Sequence, residues 1–306
     1  MSKMTVSFAP HIRENISTSR IMLDVLIALV PAFVASVLIF GWRAALVVGV
    51  CVASCVFFEW AYQKIVKKKC TIKDLSACIT GVLLAFNLPE TIPLWMAIFG
   101  SAVAIILVKQ LFGGMGKNFA NPAITARIVM FISFPAAMAT WTQLPDAVSG
   151  ATPLALIQSG DLAYLPSMMD MFIGTRGGCL GETSALALLL GGGYLLIRRV
   201  ITWHIPVTFI GTVFVLTALL GEQPSYQLLA GGLILGAFFM ATDYPTSPQT
   251  AKGRIIFGIG CGLLTVLIRV WGSYPEGVSF AILFMNVLVP FINKLAMTKP
   301  LGGKKA

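Results

Sequence analysis

Long apolar runs alternate with short polar connectors along this chain, and the runs have the length of membrane spans rather than the stripe of a soluble amphipathic helix. Hydropathy gives ten segments, near residues 21–41, 44–62, 75–88, 93–111, 123–138, 183–198, 205–220, 227–241, 254–271 and 278–295. A helix needs about 20 residues to cross a hydrocarbon core of about 30 Å, and most of the runs approach that length. The third and eighth are short: about 14 apolar residues make roughly 21 Å of helix, a length also compatible with a re-entrant hairpin. One long polar connector, residues 139–182, separates five segments from five.

The basic residues choose between these topologies. With ten crossings and the N-terminus inside, one face receives Lys3, Arg13, Arg20, Lys64, Lys67, Lys68, Lys69, Lys73, Lys109, Lys117 and Arg127. The same face receives Arg198, Arg199, Lys252, Arg254, Lys294, Lys299, Lys304 and Lys305. Only Arg43, Arg176 and Arg269 of the 22 Lys and Arg residues fall on the other. That asymmetry is the positive-inside pattern, and a third segment that turned back would spoil it. The expectation is therefore an all-α polytopic membrane protein of the cytoplasmic membrane, both termini cytoplasmic and residues 139–182 external.

An odd number of spans on either side of the long connector makes the two halves inverted repeats. The chain then divides into a cytoplasmic segment 1–20, a first five-helix repeat 21–138, the external loop 139–182, a second repeat 183–295 and a tail 296–306. Sequence support for a duplication is faint: Gly81-Val-Leu-Leu-Ala-Phe86 resembles Gly232-Leu-Ile-Leu-Gly-Ala237. The short third helices of both halves end at Asn87-Leu-Pro89 and Ala241-Thr-Asp-Tyr-Pro245, where a broken helix would free carbonyls to line a central site.

Composition agrees with this picture and removes others. The chain is 57% hydrophobic and 11% charged, with mean hydropathy +0.87, whereas soluble domains carry about 25% charged residues. The net charge of +10 comes from one-sided loops, so nucleic acid is not an expected partner. The six cysteines form no C-x-x-C and there are two histidines, which gives no zinc or iron–sulfur ligand set. Gly113-Gly-Met-Gly116 has no phosphate-loop lysine at the required spacing, and Gly191-Gly-Gly193 lies within a span, where small residues permit close helix contact.

The chemistry concentrates in Asp146-Ala-Val-Ser-Gly-Ala-Thr-Pro-Leu154. Thr152 followed by Pro153 reads as a helix start: threonine caps, and proline at the first helical position loses no hydrogen bond. A helix N-terminus also suits phosphate. On these residues alone a capped loop helix is a sufficient account. The pattern Asp-x-x-Ser-Gly-Ala-Thr, however, resembles the flavinylation motif of the RnfD/NqrB family, the membrane subunits of Rnf and sodium-pumping NADH:quinone reductase complexes. Gly116-Lys-Asn-Phe-Ala-Asn-Pro-Ala-Ile-Thr-Ala-Arg127 and Pro275-Glu-Gly-Val-Ser-Phe-Ala-Ile-Leu-Phe-Met-Asn286 are similar to the same family, and the likeness spans nearly the whole chain. The quinone-reductase branch usually has a longer N-terminal extension, so the Rnf branch is the better match.

The resemblance implies an electron-carrying subunit of a complex that couples ferredoxin oxidation and NAD reduction to outward sodium or proton transport. It implies FMN joined through its phosphate to Thr152 by a flavin transferase that recognises the surrounding Asp146, Ser149, Gly150 and Ala151. Asp146 has a second reading as a solvated acid. Ferredoxin and NAD would be met only through partner subunits. A second, non-covalent flavin (riboflavin) would sit in the membrane part, with Asn87 and Asp243 as its expected lining or as an ion path. Asp24, Glu59, Arg127 and Asp243 all fall near cytoplasmic helix ends. Such groups either face a cavity or partner or snorkel to the interface, as Glu59 beside the Lys64–Lys69 run would. The rival from another class is a redox-silent channel or secondary transporter with inverted repeats, which has no need of a phosphate-accepting threonine.

Overall fold

A computed structural model describes residues 17–141, 152–272 and 276–297, and every regular element among them is helical. The first five apolar segments form α1 (Thr18–Phe40), α2 (Trp42–Ile65), α3 (Ser76–Phe86), α4 (Leu94–Ala102, continuing in wider π turns through Val103–Gln110) and α5 (Pro122–Ser133). The short α6 (Pro135–Met138), α7 (Pro153–Ser159) and α8 (Met168–Ile173) follow. The second set comprises α9 (Ala185–Ile197), α10 (His204–Leu219), α11 (Pro224–Leu229), α12 (Leu233–Leu235, continuing in π turns through Gly236–Met240), α13 (Ala251–Trp271) and α14 (Val278–Ala296). Four of these, α1, α2, α13 and α14, are long and apolar enough to cross a membrane, and several shorter ones are predominantly apolar.

Local chemistry sets the ends. Ser17, Ser184 and Thr250 cap α1, α9 and α13 by accepting backbone N–H bonds, and Asn121 caps α5 from Ala123 and Ile124 with Pro122 at the first position. Between α1 and α2 only Gly41 intervenes, at φ 74, a left-handed conformation that costs glycine little. Two of the expected helices are interrupted. The fifth stops at Phe134 because Pro135 cannot donate to the preceding turn. The eighth breaks at Ala230-Gly231-Gly232, with Gly231 at φ 64.

Helices α1 and α9 run counter to each other. Asp24, near the start of α1, bonds Arg198, just beyond the end of α9, at 3.2 Å, and Tyr194 donates to it at 3.0 Å. Gly191 makes this contact close: a Cβ there would sit 2.0 Å from the Ala28 carbonyl oxygen. The short third segment runs alongside α2, from the end of that helix to its start. Ser76 meets Lys109 at the basic end, and at the far end Arg43, opening α2, holds the carbonyls of Glu90 and Thr91 at 3.0 and 3.2 Å. Eleven helical residues suffice because residues 87–93 complete the path without helix.

The long connector departs from the polar external loop expected of it. It contains α7 and α8, and Asp170 in α8 is held below the usual carboxylate range by the Ser167 and Thr175 hydroxyls. Its last stretch folds back into the bundle. Leu180 and Gly181 donate their N–H groups to Leu88 and Phe86 at 3.0 Å each, and Cys179, Leu180, Glu182 and Thr183 are buried. The physical reason is the break after α3, whose freed carbonyls need donors away from water.

Candidate functional site

Thr152 does what its sequence context predicts. Its Oγ1 accepts from Ala155 N–H at 3.3 Å, capping α7, and Pro153 occupies the first helical position. The residue is 8% exposed. Leu154 packs with Met171 and Ala230, and Gln158 donates to the Gly272 carbonyl at 2.8 Å, so α7 is seated over the ends of α11 and α13. A Cβ at Gly231 would meet both Leu154 and the Arg269 guanidinium, at 2.8 and 3.1 Å, so a buried cation stands beneath this helix. Asp146, Ser149, Gly150 and Ala151 lie outside the described residues.

Asp243 and Asn87, expected together, are parted. Asp243 lines a cavity of about 100 Å³ at the basic end, together with Lys109, Asn118, Asn121 and Thr80. Both π-helical stretches contribute walls to it, through Lys109 and through Phe238 and Phe239. Turns of this kind widen a helix and recur at functional sites. Asn87 faces a different neighbourhood. Its amide donates to Leu83 O and Met240 Sδ, and its Oδ1 accepts from Arg127 at 2.8 Å. The two regions touch through Asn121, which donates to the Met240 carbonyl at 3.3 Å.

Arg127, expected near a helix end with a cavity or partner to face, has partners. It is buried in the middle of α5, where its guanidinium forms an ion pair with Glu276 and bonds Ser279 at 3.2 Å and Cys179 Sγ at 3.6 Å. These partners belong to the far end of the bundle. A buried charge must be paired, and Glu276 supplies the carboxylate. Around it Cys179 Sγ and carboxylate oxygens of Glu182 and Glu276 lie within 4.8 Å of one another. Arg176, expected in the long connector, and Arg269, expected at the end of a segment, are buried beside it. They hold the carbonyls of Leu229, Gln227 and Ala230 at the break after α11, at 2.6, 2.6 and 3.1 Å.

Glu59 does not snorkel toward the lysine run. It is 0% exposed and pairs with Lys109 at 2.6 Å, while Thr71 donates to it at 3.0 Å and Gln63 at 3.2 Å. Sequence reasoning missed Lys109 as its partner, although a lysine between Val108 and Gln110 at the end of an apolar run was the available sign. It also missed Glu182, which the fold buries, and Glu276, which it brings against Arg127.

Comparison with known proteins gives one family. The profile of the NQR2, RnfD, RnfE family matches residues 5–302. The chain is 48% identical over 306 residues to the D subunit of the Na(+)-translocating ferredoxin:NAD(+) oxidoreductase complex of Acetobacterium woodii, covering 99% of this chain and 96% of that one. It is 42% identical over 320 residues to the proton-translocating counterpart of Clostridium ljungdahlii, covering 98% and 97%. A third relative, the D subunit of the ion-translocating oxidoreductase complex of Stutzerimonas stutzeri, is 40% identical over 331 residues, covering 94% and 92%. With similarity over almost its whole length, and a helical bundle built on apolar spans, the chain belongs to the NQR2, RnfD, RnfE family.

Proposed function

We propose that this chain is the D subunit of an Rnf-type ferredoxin:NAD oxidoreductase in a bacterial cytoplasmic membrane, where it carries electrons on flavin while the complex moves sodium or protons. The observation that carries the reading is similarity to Rnf D subunits over nearly the full chain, with Thr152 capping a helix at the motif. The relatives from Acetobacterium woodii and Clostridium ljungdahlii differ in their ion, so similarity leaves sodium and proton equally open. Ferredoxin and NAD are met by partner subunits, and a flavin transferase matures this one.

The topology proposed is ten crossings in two inverted repeats, supported by the antiparallel α1 and α9 and by the end-to-end run of the third segment. In this reading Thr152 Oγ1 forms the ester with the phosphate of FMN. The Ala155 N–H facing that oxygen and the buried Arg269 beyond Leu154 both favour an anion there. Riboflavin is proposed for the cavity beside Asp243, where Asn118, Asn121 and Thr80 offer hydrogen-bonding groups and the phenylalanines an apolar face. The cavity is smaller than the roughly 300 Å³ minimum of ordinary ligand sites, so entry requires side-chain movement. When bound, the flavins supply the redox chemistry; the chain fixes their positions and the charges around them.

Intact mass and in-gel fluorescence test the covalent site. Co-expressed with an active flavin transferase, the wild-type chain is expected to gain one FMN less water and to fluoresce after denaturation, and Thr152→Ala to do neither. An unmodified wild-type chain would remove the redox reading and favour a channel or transporter. Asp243→Asn is expected to lower the non-covalent flavin extracted from the purified complex while leaving the covalent mass unchanged.

A further inference from the structure

A second cavity of about 230 Å³ opens at the basic end, between the end of α9, the start of α10 and the start of α13. Arg199, Arg254, Thr202, Ser247 and Tyr244 line it, and no carboxylate does. Arg254 directs Nε to the Pro248 carbonyl and Nη1 to Thr202 Oγ1, both at 3.1 Å, which orients the guanidinium and leaves Nη2 without a partner among the described residues. Arg199 makes no side-chain bond among them, and it holds a left-handed φ of 56 at a position where glycine is the usual occupant. The 16-residue α10 begins here without a side-chain cap. Two acids of adjoining segments are engaged elsewhere: Asp24 with Arg198, and Asp243 in the neighbouring cavity, bonded to Thr246.

We propose that this cavity binds a phosphoryl group, supplied by the headgroup of an anionic phospholipid. Two guanidinium groups without a facing carboxylate, with the Thr202 and Ser247 hydroxyls in the same lining and the uncapped start of α10 adjoining, make a phosphate seat, and basic pockets between membrane helices take anionic headgroups. The apolar residues that flank the cavity in sequence, Ile197, Val207 and Ile256, are exposed and offer acyl chains a surface. Trp203, exposed and stacked on His204 at 4.3 Å, has the amphipathic ring favoured at headgroup depth.

Native mass spectrometry of the purified complex, titrated with dioctanoyl phosphatidylglycerol, dioctanoyl phosphatidylcholine or inorganic phosphate, tests this. Saturable binding of phosphatidylglycerol to this subunit is expected, with phosphatidylcholine weaker. Arg199→Gln should weaken it about tenfold, and the double variant with Arg254→Gln should abolish it, as each removes a charge-assisted bond. Inorganic phosphate that binds where the lipid does not would keep the phosphoryl seat and change its source from lipid to solution. Equal binding of phosphatidylglycerol by wild type and Arg199→Gln, or no binding of either phosphate source, would overturn the proposal. Arg254 also braces the chain, so if its variant fails to assemble, the unbonded Arg199 decides alone.

Discussion

Glu59 and Lys109 at the basic end, and Arg127 and Glu276 at the other, are both ion pairs taken out of water by a bundle that carries few charges. Their surroundings differ. Lys109 also lines the cavity beside Asp243 and keeps Ser76 as a second acceptor at 2.6 Å, so its ammonium has somewhere to turn if Glu59 is lost. Arg127 is tied into the chain instead. Its guanidinium joins the break after α3, the loop at Cys179 and the start of α14 at Ser279, segments far apart in sequence. One pair borders a space where a ligand can sit; the other fastens chain segments that would otherwise expose broken backbone. Similar ion-pair chemistry thus serves different ends, and the neighbours decide which.

Removing one partner of each pair breaks or sharpens this contrast. Arg127→Ala should do most damage, about 3–5 kcal/mol, because it takes from the largely enclosed Glu276 its directly bonded partner and from Asn87 and Ser279 a shared donor. Thermal unfolding of the purified complex, followed by tryptophan fluorescence, should show this as a large fall in Tm or as failure to assemble. Glu59→Gln should cost less, about 1–3 kcal/mol, since the amide still accepts from Thr71 and Lys109 still reaches Ser76. The same melt reads it, and a loss equal to that of Arg127→Ala would end the distinction. Asp24→Asn should cost below about 1 kcal/mol: its partner Arg198 is 43% exposed and the pair lies in reach of water. A smaller effect for Arg127→Ala than for Asp24→Asn would reverse the whole ordering.

Much of the helical plan was legible. The ten segments correspond to helices within a few residues, apart from the breaks at Phe134 and at Ala230-Gly231-Gly232, because hydropathy and helix caps are local properties. Thr152 was legible for the same reason: threonine before proline caps a helix whatever surrounds it. Arg127 was legible as a charge in an apolar segment that needs a partner, but not which one, because a guanidinium in mid-helix pairs with whatever carboxylate the packing brings near. Asn87 and Asp243 looked equivalent in the sequence, as the ends of matching short helices. The fold turns one to Arg127 and the other to a cavity.

An all-helical, span-rich chain with a strong charge asymmetry between its loops follows from the order of residues alone, as does Thr152 as a helix cap within a recognisable motif. Segment length, charge placement and capping act over a few residues, so they can be read in order along the chain. Packing between distant helices was needed to make residues 179–183 interior, to join Glu59 to Lys109, and to bring Cys179, Glu182, Glu276 and Arg127 together. Those outcomes follow from the cost of leaving a charge or a backbone group unpaired away from water. That cost is met by whichever partner the packing brings near, and no local pattern records it.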